Sequence, residues 1–188
     1  MTNYQPVGSP SSDGLKARYY PESRFGGYTD LDGTVLFHAR VNSLLKPDGV
    51  ALLHSIGRMD GPGVTNPWLR KYVFPGGYSP AISEVVPVIE RARLWITDVE
   101  VLRLHYAETL KVWRRRFLAQ RDKVLQLYDE RFFRMWETYL AGSESAFRQS
   151  GHLVMQIQMA KAIDAVPITR DYMFDWEHAH SAADDRAA

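Results

Sequence analysis

An α/β fold is predicted for this 188-residue chain by three observations. Segments with apolar residues at helical spacing alternate with short apolar runs bounded by Gly and Pro, in the order helix, strand, helix, strand, long helix, strand. Hydrophobic residues make up 45% and charged residues 24%, the balance of a globular chain able to bury a core. No apolar run approaches the roughly 18 residues of a membrane-spanning helix.

Residues 1–30 are rich in Gly, Ser, Pro, Tyr and charge and show no periodicity, so they read as a poorly ordered segment. From Thr34 to Leu45 the apolar positions Val35, Leu36, Ala39, Val41, Leu44 and Leu45 predict a short helix. Lys46-Pro47-Asp48-Gly49 stops it, with Gly49 supplying a positive φ. Gly49 to Gly57 reads as a buried strand. Arg58 to Pro67 is a Gly/Pro-rich loop, and Trp68 to Phe74 reads as a helical turn or a short extended piece. Pro75-Gly76-Gly77 turns the chain. Ser79-Pro80 opens a helix to about Ala92, with Pro80 near its first position, Ser83 as a competing cap and Pro87 as a break or kink.

Leu94 to Leu104 reads as a second strand. From Ala107 to Arg148, steps of three, four and seven through Leu110, Trp113, Phe117, Val124, Tyr128, Phe132, Met135, Tyr139 and Phe147 predict one long amphipathic helix or two stacked ones, with Gly142 as the separator. His152 to Met159 alternates as a last strand. The expected organisation is a poorly ordered segment over 1–30, a domain over 31–176 and a frayed tail over 177–188. Three strands make a narrow sheet with two unsatisfied edges, which predicts exposed apolar surface and self-association.

Composition excludes several chemistries. The chain has no cysteine, so disulfides, thiolate metal sites and a cysteine nucleophile are out. The net charge of +1 and the shortness of its basic cluster argue against nucleic-acid binding. Glu177-His178-Ala179-His180 is too sparse a donor set for a metal site. The N-terminal residues lack a basic region followed by an apolar one, which predicts a cytoplasmic protein.

Several stretches together resemble one family. Leu45-Lys46-Pro47-Asp48-Gly49 and the following Leu52-Leu53-His54-Ser55-Ile56-Gly57 are similar to the turn and fifth strand of class I methyltransferases. Asn66-Pro67-Trp68, Lys71-Tyr72-Val73-Phe74-Pro75-Gly76-Gly77 and Leu104-His105-Tyr106-Ala107-Glu108-Thr109-Leu110 follow in order. Tyr128-Asp129-Glu130-Arg131-Phe132, Arg134-Met135-Trp136 and Ala146-Phe147-Arg148 complete the set. Over about residues 35–172 the chain resembles the C-terminal portion of the cyclopropane-fatty-acyl-phospholipid synthases, including their mycolic-acid-modifying relatives.

The resemblance implies part of a class I, Rossmann-like methyltransferase fold, with C-terminal strands and a long amphipathic helical segment. It implies methyl transfer from S-adenosylmethionine to the double bond of a phospholipid acyl chain, followed by proton loss and cyclopropane closure. A bicarbonate ion accepts that proton in the family. His54, Tyr106 and the backbone of Ile56 match the positions that hold it, with His54 and Tyr106 as the catalytic pair. An imidazole and a phenol both donate hydrogen bonds to a small anion, and an apolar pocket protects a carbocation from water.

The departures are as specific. The family's glycine-rich cofactor turn, of the type D-x-G-C-G-W-G, has no counterpart here. Gly26-Gly27 lacks the buried strand before it and the acidic residue after it. The family's acidic bicarbonate ligand is replaced by Arg24-Phe25-Gly26-Gly27-Tyr28, with Asp30 or Asp32 as substitutes. The chain is therefore expected to be a truncated member, inactive alone. The alternative is a non-catalytic remnant, or a module that binds a membrane or completes a split enzyme with a missing N-terminal partner.

Without the resemblance, His54 reads as a buried histidine hydrogen-bonded to backbone, and Tyr106 as a core tyrosine. Lys111, Arg114, Arg115 and Arg116, continued by Arg121 and Lys123, read either as a contact for anionic lipid headgroups at the inner face of the membrane or as a solvated helix face. Trp113, Phe117, Tyr128, Phe132 and Trp136 read as core packing, part of which would line an acyl tunnel.

Overall fold

The computed structural model describes residues 31–184, with side chains from His38 to His180. Residues 1–30, including Asp30, lie outside the described residues, and Asp32 falls in the first turn of a helix. The elements are α1 (Leu31–Leu44), β1 (Val50–Arg58), α2 (Pro67–Tyr72), α3 (Ile82–Arg91), β2 (Trp95–Leu102), α4 (His105–Ala119), α5 (Arg121–Leu127), α6 (Glu130–Gln149), β3 (His152–Ala160) and α7 (Asp171–Asp184). The helix α7 thus continues past Trp176 into the segment expected to fray, and Trp176 stacks on His180 one turn later, at 4.2 Å.

The three strands form one sheet in the order β1-β3-β2, with β3 antiparallel to both neighbours. One face carries Leu53, Leu153, Met155, Ile157 and Met159, packed against Val85 and Ile89 of α3 and against Val41 and Leu45 at the end of α1. On the other face Val154 packs with Ala107 and Leu110 of α4 and Leu140 and Phe147 of α6. The result is helix, sheet, helix. β3 reads as a central strand because it is apolar on both faces at Val154 and Met155.

Local chemistry places the helices. Lys161 Nζ donates to the carbonyls of Asn42 and Leu45, both at 3.0 Å, and so caps the end of α1. The α3 start is fixed by Glu84, whose carboxylate accepts from the Ala81 N–H at 2.7 Å; neither Pro80 nor Ser83 is the cap. Pro87 does not break α3. The carbonyl it deprives of a partner belongs to Ser83, which is exposed and open to water. Arg93 takes φ +56 as α3 ends. The N–H groups of Arg93 and Leu94 then reach the carbonyls of Glu90 and Ile89, and Leu94 returns to the core beside Ile89.

The predicted long helix is three helices, and Gly142 separates none of them. It lies inside α6, with nothing within 4 Å of where a Cβ would stand. The breaks fall at Gln120 and at Tyr128-Asp129. The Asp129 side chain accepts from the Phe132 N–H at 2.8 Å and restarts the chain as α6. Segment 68–74 is helical as far as Tyr72, capped by Asn66 with Pro67 at the first position. Gly49 serves by close approach to the Lys46 backbone, while the positive φ values fall at Gly61 and Gly76.

Gly57 is required by packing. A Cβ there would stand 2.9 Å from the Pro80 carbonyl oxygen and 2.9 Å from Met155 Cε. That carbonyl accepts from the Arg58 N–H at 3.0 Å and joins the loop before α3 to the end of β1. The Gly57→Ala variant is expected to lose about 1–3 kcal/mol of stability by overpacking. Gly142→Ala is expected to gain about 0.5–1 kcal/mol, because its site is open and helical. Urea midpoints of the two variants against the parent check both signs.

Candidate functional site

The register of the sheet builds the site. On the face covered by α4 and α6, three rows cross the strands. Ile56, Val154 and Leu102 form an apolar row under the helices. His54, Gln156 and Glu100 form the next row. Leu52, Gln158 and Asp98 form the third. Successive rows are two residues apart, about 7 Å along the strand.

The third row is clamped by the chain after β3. Arg170 Nε meets Asp98 at 2.7 Å, and Tyr172 Oη donates to Gln158 Oε1 at 2.9 Å. Thr97, the bulged residue of β2, also bonds Gln158 Oε1, at 2.8 Å. The polar middle row therefore lies between Val154, buried under the helices, and Gln158, held by Tyr172 and Thr97, with the β1 side left open at Leu52 and Ile56.

His54 is exposed, not buried, and its partner is a side chain rather than backbone. Its Nδ1 lies 3.1 Å from Gln156 Nε2. With the amide nitrogen as donor, Nδ1 accepts and the ring proton sits on Nε2, which becomes a donor toward the open part of the face. Gln156 is thus a positioning residue. The signal for it was the spacing Val154, Gln156, Gln158 within an otherwise apolar strand; that Gln156 would meet His54 is a matter of register.

Ile56 follows on the same face of β1. Arg58 donates away from β3, to Pro80, while the Lys161 and Met59 N–H groups pair across β1 and β3. Extended residues alternate their N–H directions, so Leu52, His54 and Ile56 present theirs at the free edge of β1. Leu52, 62% exposed, marks the same open region.

Tyr106 opens α4 and packs against the cluster around Val154, the residue opposite Ile56. Its ring meets Phe147 at 5.0 Å and Trp113 at 6.0 Å. Burial pushes its phenol pKa up, and Tyr139 is raised by burial and then by the neighbouring Tyr106. Tyr106 stays a protonated donor through neutral pH. The three predicted residues share one face, with Tyr106 against the apolar row and His54 one row away.

The aromatic stripe is only partly core. Phe117 stacks on Phe133 at 4.8 Å, but Trp113 and Tyr128 are exposed. Tyr128, Phe132, Trp136, Tyr139 and Phe74 form a continuous ladder with ring separations of 4.1, 5.9, 5.0 and 5.6 Å. A shallow depression of about 340 Å³ lies on one side of α4, lined by His105, Glu108, Thr109, Val112 and Trp113, and does not include His54. Among the described residues no cluster of His, Cys, Asp and Glu could hold a metal ion, and no helix is long and apolar enough to cross a membrane.

Comparison with known proteins gives this architecture a class. The chain superposes on a cyclopropane synthase from Mycobacterium tuberculosis with a TM-score of 0.65 at 28% identity, over 70% of this chain and 50% of that one. A mycolic acid cyclopropane synthase complexed with SAH and CTAB gives 0.62 at 27%, over 68% and 50%. The fold is that of the class I methyltransferases, over about half of each solved chain.

The profile of the mycolic acid cyclopropane synthetase family matches residues 30–157, and the chain belongs to that family. It is 42% identical over 123 residues to a tuberculostearic acid methyltransferase of M. tuberculosis, covering 62% of this chain and 29% of that protein. It is 32% identical over 128 residues to the cyclopropane-fatty-acyl-phospholipid synthase of Escherichia coli K12, covering 68% and 33%. The chain spans about a third of the length of these curated relatives.

The raised phenol gives a pH test. A tyrosine whose folded pKa lies above its ordinary 10.0 contributes stability that is present in full below that pH and lost as pH rises toward the folded value. The Tyr106→Phe variant is expected to show a shallower loss of stability above pH 10.0 than the parent. Its Tyr139 phenol is expected to titrate at lower pH, freed of the Tyr106 charge. Melting against pH and absorbance titration of the phenolates read the two effects.

Proposed function

We propose that the chain supplies the anion-holding and acyl-facing part of an S-adenosylmethionine-dependent enzyme that methylates or cyclopropanates unsaturated phospholipid acyl chains. The observation that carries this is the His54–Gln156 pair on the sheet face that also holds Ile56 and Tyr106, in a chain of this family. The relatives support the substrate class, since they are named as fatty acid, sphingolipid and cyclopropane-forming methyltransferases.

Three donors are available to a bicarbonate-sized anion in this reading. They are His54 Nε2–H, the outward Ile56 N–H and the Tyr106 hydroxyl, two of them from one rigid strand. Bicarbonate there would supply a proton acceptor for the reacting carbon. His54 and Ile56 would orient it, Gln156 would fix the imidazole tautomer, and the cluster under α4 and α6 would exclude water. S-adenosylmethionine is a different case. Among the described residues no buried strand leads into a glycine-rich turn, so these residues do not fit the cofactor. The aromatic ladder from Tyr128 to Phe74 is the apolar surface along which an acyl chain would lie.

The test is transfer of labelled methyl from S-adenosylmethionine to oleoyl phospholipid by the chain combined with the cofactor-binding part of a relative, with calorimetry for cofactor binding. Label in the lipid, reduced on the order of a hundredfold in His54→Ala and tenfold or more in Gln156→Leu, is the expected result. Full activity in His54→Ala overturns the assignment of the anion site.

A second reading rests on the free edge of β1. Among the described residues no strand pairs with this edge, where the N–H groups of Leu52, His54 and Ile56 point outward beside exposed Leu52 and Val50; the Ile56 carbonyl accepts from Ser55 Oγ at 2.9 Å. A strand from a partner, or from a second copy, would satisfy them and cover the apolar side chains. In this reading the chain acts as a binding module. A folded sample that neither binds cofactor nor transfers methyl, yet associates through this edge, favours it. Sedimentation of the parent against Leu52→Lys reports the association.

A further inference from the structure

The helical hairpin has an end that faces away from the sheet. Ala107 and Leu110 of α4, with Leu140 and Phe147 of α6, hold one end against Val154. At 1.5 Å per residue, Ala119 lies about 13 Å beyond Leu110, and Glu130 about 15 Å beyond Leu140. The short helix α5 bridges these far ends.

This tip combines unpaired cations with exposed apolar side chains. Lys111, Arg114 and Arg121 are engaged by Glu108, Glu137 and Glu130, at 3.8, 3.1 and 2.6 Å. No ion pair of the described residues involves Arg115, Arg116, Lys123, Arg131 or Arg134. All five are exposed. Between them stand Leu118, Tyr128 and Leu127, at 38%, 56% and 78% exposure. Of the acids nearby, Asp129 caps α6 and Glu130 holds Arg121, which leaves Asp122. The basic cluster therefore divides in a way the sequence did not show: Lys111 and Arg114 serve the fold, while Arg115 and Arg116 face solvent together with Lys123.

We propose that this tip docks on an anionic bilayer, with Leu127, Tyr128 and Leu118 entering the interface and the five free cations meeting lipid phosphates around them. The chemistry is that of an interfacial anchor. Apolar burial alone would be weak over three side chains, and the cations supply attraction that salt screens. The proposal deepens the phospholipid reading given above, because it says how the chain reaches its substrate.

The experiment is co-sedimentation of the full chain with vesicles of phosphatidylcholine, with and without phosphatidylserine, at two salt concentrations. Binding is expected only to the anionic vesicles and to weaken with salt. The Arg115→Gln/Arg116→Gln double variant is expected to bind about thirtyfold more weakly, each cation near the surface being worth about a factor of five. Leu127→Ser/Tyr128→Ser is expected to bind less well while keeping its salt dependence. Lys111→Gln, on a paired lysine outside the tip, is expected to match the parent. Circular dichroism confirms that each variant is folded.

Absence of parent binding, or equal binding by all variants, overturns the proposal. So does displacement from anionic vesicles by a short duplex DNA at equal charge, which would assign the tip to nucleic acid. The catalytic reading is scored apart, by methyl transfer to detergent-dispersed oleoyl phospholipid. Vesicle binding without transfer leaves the docking surface standing and removes the enzyme, and transfer without vesicle binding does the reverse.

Discussion

Everything in this chain hangs on β3. Among the described strands β1 and β2 do not pair with one another; each is laddered to β3, along nine residues on one side and seven on the other. Met155, Ile157 and Met159 are buried on one face while Val154 is buried on the other, so both helical layers pack against the same strand. A slip of one residue in its register would carry Gln156 and Gln158 into the core and turn Met155 and Ile157 outward. The cost of burying two amides without partners makes that register unambiguous. The candidate site is a consequence, because His54 meets Gln156 only in this register.

The glycines and capping carboxylates then fix what leans on the sheet. Gly57 lets the Pro80 carbonyl approach β1, and Glu84 starts α3 immediately afterwards. Gly151 plays a similar part at the entry to β3, where a Cβ would strike Asp60 at 2.6 Å. Asp60 is held there by Arg58, with both contacts at 2.6 Å, and that guanidinium lowers its carboxyl pKa to about 2. The Arg58–His152 end of the β1–β3 ladder is thus closed by specific polar contacts, and its middle carries the polar row.

All three strands were legible in the sequence to within two residues, because each is a short apolar run between turn signals. The family was legible too, from motifs spread across the whole matched span. The failures have one cause, which is that partners distant in sequence were invisible. Asp129 capping α6, and not Gly142, decides where the long helical segment divides, since a glycine with open space around it is tolerated inside a helix. Arg114 looked like part of a basic stripe until Glu137, 23 residues on, was found beside it. His54 looked buried because its strand is apolar, but β1 is an edge strand with only one covered face. The polar row of His54, Gln156 and Glu100 draws one residue from each strand, so no local pattern announces it.

The hairpin ties the candidate site to the proposed docking end. α4 begins at the residue before Tyr106 and reaches the tip at Leu118, about 18 Å away along its axis. α6 runs back over the same span, and its ladder starts at exposed Tyr128 and ends with Tyr139 packed against the cluster that holds Tyr106. An acyl chain leaving a bilayer at the tip would meet apolar ring surface along that whole path. The same rings stiffen the hairpin, since Phe117 on Phe133 and Arg114 on Glu137 lock the two helices at its midpoint. With the tip docked as proposed, this rigid spacer would set the depth from which a double bond is drawn. Chain-length selectivity would then depend on the length of α4 and α6.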